Sequence, residues 1–375
     1  MNGPSRRGQE LSPRERVRLA LNHQATDRVP ISLICAELEP PARQALADYL
    51  GVSVGEGIDR YLSQYVDMIA VGPSPRGLDP AYRGPQLHSS DDAYEDIWGV
   101  RWSAVSYGEG THSRMSHYPL AEVTDISDLD KHPWPDADWW DYSALPDHIA
   151  HLTADREYAL IMTSGNPFER TCWMRGFERS LFDMAEQPAL LHAIMARVTD
   201  FYIDLTQRTL RAADGCIELA FTADDIGGQN GLLVSPAMWQ EHIKPHHARL
   251  NRAIHELGAR VVYHSDGSIM DAVPGLIEMG VDVLQALQFS AKGMDPVALK
   301  DDYGDRLCFQ GGISVQTTLP FGAVEQVRQE VRDRIRVLAD GGGYILSPSH
   351  TILGGTPPEN VVAMFETAAS TPLPG

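Results

Sequence analysis

The sequence predicts one α/β domain spanning residues 1–375: a (β/α)8 TIM barrel with a long insertion after its second strand. Apolar, β-branched runs recur along the chain, and amphipathic helix-like stretches separate them. Such alternation is typical of a parallel sheet covered by helices on both faces. Eight runs favour a closed barrel. An open doubly wound sheet is disfavoured because no GxGxxG motif opens a helix after the first run.

The strand candidates each end in polar residues or glycine. In chain order they are 28–34 (RVPISLI), 65–72 (YVDMIAVG), 158–165 (YALIMTSG), 216–225 (CIELAFTADD), 259–267 (ARVVYHSDG), 281–288 (VDVLQALQ), 307–314 (LCFQGGIS) and 342–350 (GGYILSPSH). Of the helices between them, the one at 235–258 has the clearest signals, with Ser235 as N-cap, Pro236 in the first turn and Gly258 at its end. Residues 1–25 are predicted to form an N-terminal helical arm.

Residues 73–157 interrupt this alternation and are rich in Asp, Trp, Tyr and Pro. We interpret them as an insertion, partly a hairpin, that lies over the barrel mouth. Insertions of this kind often shape substrate pockets. The alternative, that the tryptophans only pack the insertion onto the rest of the protein, is favoured for most of them.

Composition narrows the classes of function. The formal net charge is −20, which disfavours nucleic acids and anionic membranes as partners. There is no apolar run of membrane-spanning length and no secretory signal pattern. The four cysteines are scattered without a CxxC pair, as in reduced proteins. We therefore expect a cytoplasmic protein.

Ionisable and amide side chains follow most of the strand candidates, at the ends where barrels of this type place their active face. An arginine within 168–181 (FERTCWMRGFERSL) is a further candidate, because guanidinium binds a substrate carboxylate through paired hydrogen bonds. The alternative for each of these arginines is an ion pair with a neighbouring glutamate. The residues predicted to bind substrate are Glu37, Asn166, Arg175, Gln288, Gln310 and Ser349.

His264 and Asp266 end the fifth strand candidate two positions apart, so their side chains project to the same face. His350, at the end of the eighth candidate, is expected to converge on them. Two imidazoles and one carboxylate are a usual ligand set for zinc, or for iron(II) in a facial triad. The same residues can act without a metal, with His264 as general acid or base and Asp266 orienting it. A histidine that only caps a loop is the third alternative.

Asp224 and Asp225 end the fourth candidate, just before two glycines. Neighbouring side chains of a strand face opposite ways, so only one carboxylate is expected to reach the mouth. Held among other anions, it would have a raised pKa and could act as an acid. The predicted catalytic residues are thus Asp224, Asp225, His264 and Asp266. His246 and His247, inside a predicted helix, are given no role.

Several stretches together resemble the uroporphyrinogen decarboxylase superfamily, within it the branch of corrinoid- and coenzyme M-type methyltransferases. They are SPRERVRLALNHQATDRVPI, DDIGGQNGLLVSP, YHSDGSI, GVDVLQALQFSAKGMDPVALKDDYGDRLCFQGGISVQTTLPFG and GGGYILSPSHTILGGTPPENVVAMFE. The resemblance spans about Ser12 to Ala368 and implies the same barrel, which in relatives often forms a homodimer.

The resemblance also separates the possible reactions. Uroporphyrinogen decarboxylases hold their polycarboxylate with an Arg-Gln-Ala-Gly-Arg stretch after the first strand, where this chain has Glu37 and Glu39. The methyltransferases bind zinc through His-x-Cys and a later Cys. Here the matching positions are His264, Asp266 and His350, whose harder ligands would leave the ion more Lewis acidic. The resemblance therefore implies zinc, with iron as an alternative, and a corrinoid-carrying partner protein.

The leading hypothesis is a barrel enzyme that transfers or removes a methyl group of a small polar substrate at this metal centre. The alternative enzyme is a metal-independent decarboxylase or lyase of a small carboxylate, in which an arginine of 168–181 holds the acid and an aspartate protonates the carbanion. A third hypothesis is a non-catalytic barrel subunit, for which replacing His264 would leave function intact.

Overall fold

The computed structural model describes residues 10–74, 79, 81–90, 93–106 and 111–374. Residues 1–9 of the predicted arm, and 75–78, 80, 91–92 and 107–110 of the predicted insertion, lie outside the described residues. The chain divides into two compact units. The first unit comprises Met1–Ile69, Leu152–Ala159 and Pro296–Gly375, and the second comprises Ala70–His151 and Leu160–Asp295.

Seven strands form the main sheet, in the order β1-β5-β6-β9-β10-β11-β12, and its assigned pairings are parallel. A three-stranded sheet, β2-β3-β4, and a two-stranded sheet, β7-β8, are antiparallel. The strands are β1 (Met68–Ala70), β2 (Ala93–Glu95), β3 (Arg101–Ser106), β4 (Thr111–His117), β5 (Ala159–Gly165), β6 (Leu219–Ala223), β7 (Gly227–Gly228), β8 (Gly231–Leu232), β9 (Arg260–His264), β10 (Val283–Gln285), β11 (Cys308–Ile313) and β12 (Tyr344–Pro348).

Helices follow or separate the strands. The α-helices are α1 (Pro13–Leu21), α2 (Pro40–Leu50), α3 (Glu56–Leu62), α4 (Leu145–Leu152), α5 (Pro167–Arg175), α6 (Phe177–Glu186), α7 (Pro188–Ala212), α8 (Pro236–Met238), α9 (Lys244–His255), α10 (Val273–Glu278), α11 (Pro296–Tyr303), α12 (Thr318–Phe321), α13 (Val324–Leu338) and α14 (Pro358–Ser370). Short 3₁₀ helices occupy Ile126–Lys131, Ala137–Trp139 and Met270–Ala272, and a π-helix occupies Trp239–Ile243. Among the described residues, no helix has the length and apolar character of a bilayer-spanning segment.

Seven of the eight strand candidates form strands of the main sheet, and the first, 28–34, is the exception. It makes only an isolated parallel bridge, between Ile31 and Leu346. Pro30 has no N–H to donate, which limits the ladder at this point. The run still occupies a strand position within the first unit, because Leu346 N–H donates to Pro30 and Asp67 N–H donates to Ile31. The prediction of eight regular strands was wrong by this one element.

The predicted helix over 235–258 forms, but its winding changes along its length. Ser235 caps it as predicted, since its hydroxyl accepts a hydrogen bond from Met238 N–H, and Pro236 begins α8. A π-helix then leads into α9. Pro245 lacks the N–H that would bond the carbonyl of Glu241, and such a gap in the ladder favours wider winding.

The region between β1 and β5 is built on the antiparallel sheet of β2, β3 and β4. Its tryptophans pack, as favoured from the sequence. Trp98 is fully buried and meets Phe201 of α7 edge-on, with ring centroids 5.0 Å apart. Trp140 also packs on Phe201, at 5.9 Å. Aromatic pairs of this kind stabilise the contact beyond the area they bury.

Candidate functional site

Two loops of the second unit, after β6 and β9, contact each other through backbone. A Cβ added to Gly227 would lie 2.7 Å from the carbonyl oxygen of Asp266, and one added to Gly267 would lie 2.6 Å from the backbone of Gly227. Gly267 also has φ +85°, a region that favours glycine. Ser268 N–H donates to the Gly228 carbonyl at 2.8 Å. The glycines thus let the two loops that carry the predicted catalytic residues pack against each other.

Asp224 anchors helix α5. It is fully buried, and its two carboxylate oxygens accept from Phe168 N–H at 2.9 Å and Glu169 N–H at 2.7 Å. These amides belong to the first turn of α5, whose own N-cap residue, Asn166, forms no side-chain cap. A carboxylate at this end also interacts favourably with the helix dipole. His247 Nε2 lies 2.5 Å from the same carboxylate. Asp224 is therefore buried among hydrogen-bond partners that position α5, and its catalytic role stays a prediction.

Asp225 has a different environment, as the strand alternation predicts. Its side chain is 43% exposed, and one carboxylate oxygen lies 3.6 Å from His264 Nε2. The same oxygen accepts from Asp266 N–H at 2.8 Å. Of the two neighbouring aspartates, Asp225 is the one that can meet a ligand.

His264 is buried and oriented by Gln285 of the next strand, whose amide oxygen lies 2.5 Å from Nδ1. An amide oxygen only accepts, so Nδ1 carries a proton. Nε2 is the nitrogen that faces Asp225. The ligand atoms offered by His264 and Asp266 lie within 4.8 Å of each other. An imidazole held in this way is typical of metal ligands.

Glu169, on the first turn of α5, adds a protonated carboxyl. Burial, together with the nearby charges of Asp224 and Asp225, raises its pKa to about 8 from the ordinary 4.5. The closeness of His264 and a hydrogen bond from Asn166, 3.4 Å long, oppose this rise and do not cancel it. At neutral pH the group is an acid that can donate a proton.

A hydrogen-bonded network extends from Glu169 to a buried arginine. The Asn166 amide oxygen accepts from Tyr202 Oη at 2.9 Å. Tyr202 Oη in turn accepts from Arg170 Nε at 3.2 Å, and Arg170 pairs with Asp96 at 2.8 Å. Asn166, predicted to bind substrate, is thus placed beside Glu169 by structural partners.

Arg175, predicted to bind substrate, is buried among structural partners, and its role in substrate binding stays a prediction. It is 1% exposed and pairs with Asp183 at 2.7 Å. Its Nη1 donates to the carbonyls of Leu120, Ala121 and Val123. A guanidinium that holds three carbonyls and a carboxylate is committed to packing the segment after β4 against α5 and α6.

The remaining predicted substrate ligand of the second unit is Gln288. It is buried, with its amide oxygen accepting from Gly267 N–H at 2.9 Å and its amide nitrogen donating to Ser290 at 3.3 Å. Gln288 therefore supports the loop after β9 on which Asp266 stands.

Four predicted site residues belong to the first unit. Glu37, before α2, is exposed. Gln310, on β11, is fully buried and donates to Ser32 Oγ at 3.3 Å. Ser349 is buried just after β12, and its N–H donates to Ile313. His350 follows it in the chain. Their roles in substrate and metal binding stay predictions.

Sequence reasoning missed three residues of this region: Glu169, Gln285 and His247. Glu169 was considered only as a partner for arginines, although an acidic residue two positions after Asn-Pro, beyond a strand, is a signal for the first turn of a helix at a strand end. Gln285 ends a strand candidate, but its pairing with His264 depends on the register of β9 and β10. For His247, which was given no role, the sequence carries no signal that points to Asp224.

The described part of the second unit contains side-chain donor atoms that suit a metal ion. An imidazole with its second nitrogen fixed and a carboxylate two residues beyond the strand are suitable ligands for zinc or iron(II). Asp225 lies beside the same imidazole. The surroundings are acidic, which favours a cation.

Comparison with known proteins agrees with the sequence resemblance. The family profile described as uroporphyrinogen decarboxylase (URO-D) matches residues 103–371. The uroporphyrinogen decarboxylase of Acidiphilium cryptum is 28% identical over 222 residues, covering 57% of this chain and 58% of that protein. The Thermus thermophilus enzyme of the same name is 29% identical over 232 residues, covering 58% and 61%. The chain thus aligns with about three fifths of the length of these relatives.

Among solved structures, a methyltransferase from Methanosarcina mazei has the same fold. Its TM-score is 0.65 at 16% identity, and the match covers 96% of this chain and 99% of that one. At this identity the likeness concerns the fold alone. Together with the parallel seven-stranded sheet, it indicates a TIM-barrel-like α/β fold.

Proposed function

The chain belongs to the uroporphyrinogen decarboxylase family, and from this premise we propose that it is a metal-dependent enzyme that transfers or removes a methyl group of a small polar substrate. The observation that carries the proposal is the His264 imidazole, with Nδ1 held by Gln285 and Nε2 turned toward Asp225. The relatives' name points to decarboxylation. The acidic residues after the first strand candidate, Glu37 and Glu39, are unfavourable for a polycarboxylate tetrapyrrole.

We propose His264, Asp266 and His350 as the metal ligands, with zinc as the ion and iron(II) as the alternative. Support for His350 comes from the sequence: it follows β12 much as Asp266 follows β9. A bound ion of this type acts as a Lewis acid on an oxygen or sulfur of the substrate.

The other residues have separate tasks. Gln285 keeps the proton on Nδ1, so that Nε2 serves as the ligand. Asp224 fixes the start of α5 and with it Glu169. Glu169 would donate a proton to the leaving group when the methyl group departs. We propose that a corrinoid carried by a partner protein accepts the methyl group, and that residues 73–157 form an insertion over the barrel mouth.

Metal analysis tests the proposal. Purified protein is expected to contain about one zinc or iron per chain at the His264 centre, removable by a chelator with loss of methyl transfer to free cobalamin in the reduced state. His264→Asn should lose this equivalent and lower kcat/KM by orders of magnitude. The matched control is His255→Asn, which alters a partly exposed histidine paired with Asp282. A chelated enzyme that remains fully active would refute the metal mechanism.

A metal-independent decarboxylase is the second candidate, because the curated relatives carry that name and Glu169 can protonate a carbanion. It predicts release of CO2 from uroporphyrinogen or a smaller carboxylate by the chelated enzyme, and a loss of this activity in Glu169→Gln. The two candidates therefore differ in the response to chelation. A non-catalytic subunit would show neither activity, and its partner binding would survive His264→Asn.

A further inference from the structure

A cavity of about 190 Å³ in the second unit is lined mainly by aromatic side chains, and we call it the aromatic cavity. An apolar cavity of about 150 Å³ holds benzene, so this one has room for a single six-membered ring with a small substituent. The proposed reaction uses none of its lining residues. These are Tyr94, Asp96, Trp102 and Ser113, on or next to the strands of the antiparallel sheet, and Arg170 and Trp173 of α5.

The strand register of the antiparallel sheet builds one wall of the aromatic cavity. Tyr94 of β2 is directly opposite Trp102 of β3. Two positions further along β3, Ala104 is opposite Ser113 of β4, so these side chains share one face of the sheet. The rings of Tyr94 and Trp102 are nearly parallel, with an interplanar angle of 10° and centroids 6.2 Å apart. This wall therefore carries two adjoining flat rings.

Helix α5 supplies a second wall at a steep angle to the first. The ring of Trp173 stands edge-on to that of Trp102, with centroids 5.4 Å apart and planes at 86°. A flat ring in this corner can stack on one indole while its edge meets the other, and aromatic rings prefer these two arrangements. Both tryptophans are only half-buried. Their remaining surface is thus available to a ligand.

Arg170 gives the aromatic cavity a charged donor. Its side chain is 3% exposed, and its Cζ lies 4.5 Å from the centroid of the Trp173 ring. Nε donates to Tyr202 Oη, and Nη1 donates to Asp96. Among the residues that the structure describes, none accepts a hydrogen bond from Nη2. This nitrogen is therefore left for an acceptor on a ligand, and hydrogen bonds from a guanidinium to an anion are among the stronger ones.

Asp96 is fully used by the protein, and this decides the sign of charge that the aromatic cavity favours. One carboxylate oxygen accepts from Trp98 N–H at 3.0 Å and Val100 N–H at 3.1 Å. The other accepts from Trp102 Nε1 at 3.2 Å and from Arg170 Nη1 at 2.8 Å. An ammonium group would meet the guanidinium with no further carboxylate to balance it. A carboxylate would instead meet a cationic donor.

We propose that the aromatic cavity binds a monocyclic aromatic carboxylate, with its ring against the three aromatic side chains and its carboxylate on Nη2 of Arg170. An aliphatic acid lacks the stacking, and a neutral aromatic ring lacks the charge-assisted hydrogen bond. The inference goes beyond the proposed function, because none of the lining residues is a predicted metal ligand.

The experiment titrates the purified full-length protein with benzoate, followed by ligand-observed NMR. We expect saturable binding of benzoate. Benzamide, which has nearly the same shape without the charge, should bind about 10-fold more weakly or worse, as expected for a lost charge-assisted hydrogen bond. Cyclohexanecarboxylate keeps the charge but is not flat, and it should also bind more weakly. Equal affinity for all three compounds would overturn the proposal.

Two variants address the two parts of the aromatic cavity. Trp102→Leu removes a stacking surface and should weaken benzoate binding about 10-fold. Arg170→Lys keeps a cation but lacks the planar fork of donors, so the preference for benzoate over benzamide should shrink. The matched control is Trp139→Leu, which alters a half-buried tryptophan packed on Tyr82 outside the cavity lining. This control should bind benzoate like the wild type.

Further arms keep the result decisive. Circular dichroism checks the fold of each variant, and Tyr94→Leu replaces Trp102→Leu if the latter does not fold. His264→Asn should bind benzoate normally, whereas loss of binding there would place the carboxylate at the metal centre and overturn the proposal. Absence of saturable benzoate binding by the wild type, or unchanged affinity in the cavity variants, overturns it as well. A failure of methyl transfer bears only on the proposed function, since the aromatic cavity is tested by binding alone.

Discussion

The two units each contain buried carboxylates, and these differ in how their charge is balanced. In the first unit, fully buried Asp67 pairs with Arg16 at 2.6 Å and Arg28 at 2.8 Å, and also accepts from Ile31 N–H. In the second unit, Glu169, Asp224 and Asp225 lie near one another, and among the described residues none of them forms an ion pair with arginine or lysine.

The difference separates a charge-balanced structural contact from a group of acidic residues that is a candidate functional site. Two guanidinium groups satisfy Asp67 and fix the arm against the start of β1. In the second unit the negative charge is left uncompensated by such cations, so a carboxyl retains its proton and a bound cation gains affinity. A polar cluster that is poorly balanced in the protein alone is a functional-site candidate.

The largest expected effect comes from Asp67→Asn. Breaking these buried pairs removes the carboxylate partner of Arg28 and one of the two carboxylate partners of Arg16, which also pairs with Asp27, at a cost of about 3–5 kcal/mol in the free energy of unfolding. Denaturant unfolding followed by circular dichroism measures it. The matched control is Asp59→Asn, which breaks the exposed pair with Arg43 and should cost less than about 1 kcal/mol. Equal losses of stability in the two variants would contradict the structural role of Asp67.

The same substitution should lower stability at Asp224 and catalytic efficiency at its neighbour Asp225. Asp224→Asn loses an acceptor for the first turn of α5 or for His247, and we expect a loss of about 2 kcal/mol in stability. Asp225→Asn should leave the free energy of unfolding nearly unchanged and lower kcat/KM instead. Unfolding curves and steady-state kinetics on both variants measure the two effects. A loss of stability in Asp225→Asn but not in Asp224→Asn would contradict the structural role of Asp224.

Gln285→Leu tests whether His264 is oriented for a metal. Leucine has similar volume but cannot hold the proton on Nδ1, and loss of such an outer partner typically weakens metal affinity about 10–100-fold. Competition with a chromophoric zinc chelator gives the affinity. Gln229→Leu, in the loop after β7, is the control and should bind normally. An unaltered affinity in Gln285→Leu would mean that Gln285 has no part in orienting the ligand.

The smallest expected effect is on the pH dependence of thermal stability. The pKa of Glu169 in the folded metal-free protein, about 8, lies above its ordinary value of 4.5. Its contribution to stability is therefore fully present below about pH 4.5 and is lost as the pH rises through about 8. Relative to Glu169→Gln, the wild-type Tm should fall across this window. Glu178→Gln, at an exposed position, should track the wild type, and parallel Tm curves for all three proteins would contradict the raised pKa.

The sequence predicted most of the architecture because strand periodicity is local information. Seven runs became strands of one sheet, and Ser235 capped the helix it was expected to cap. The run 28–34 did not form a regular strand because Pro30 has no N–H to donate, and an apolar sequence pattern does not show this.

The site was predicted less completely, because its contacts join residues far apart in the chain. The spacing of His264 and Asp266 indicates a shared face, but nothing local shows that Gln285 holds the imidazole or that Asp224 reaches back to Glu169, 55 positions away. The carbonyl partners of Arg175 at Leu120 and Val123 likewise lie 55 and 52 positions away in the chain. Charge alone does not reveal how many backbone acceptors surround a guanidinium.

The backbone amides of Phe168 and Glu169 donate to the carboxylate of Asp224, which follows β6. Their protons should exchange slowly with deuterated solvent while that contact persists, and faster whenever the helix start swings away. Hydrogen exchange at these two backbone positions can thus report whether a ligand stabilises or destabilises the start of α5.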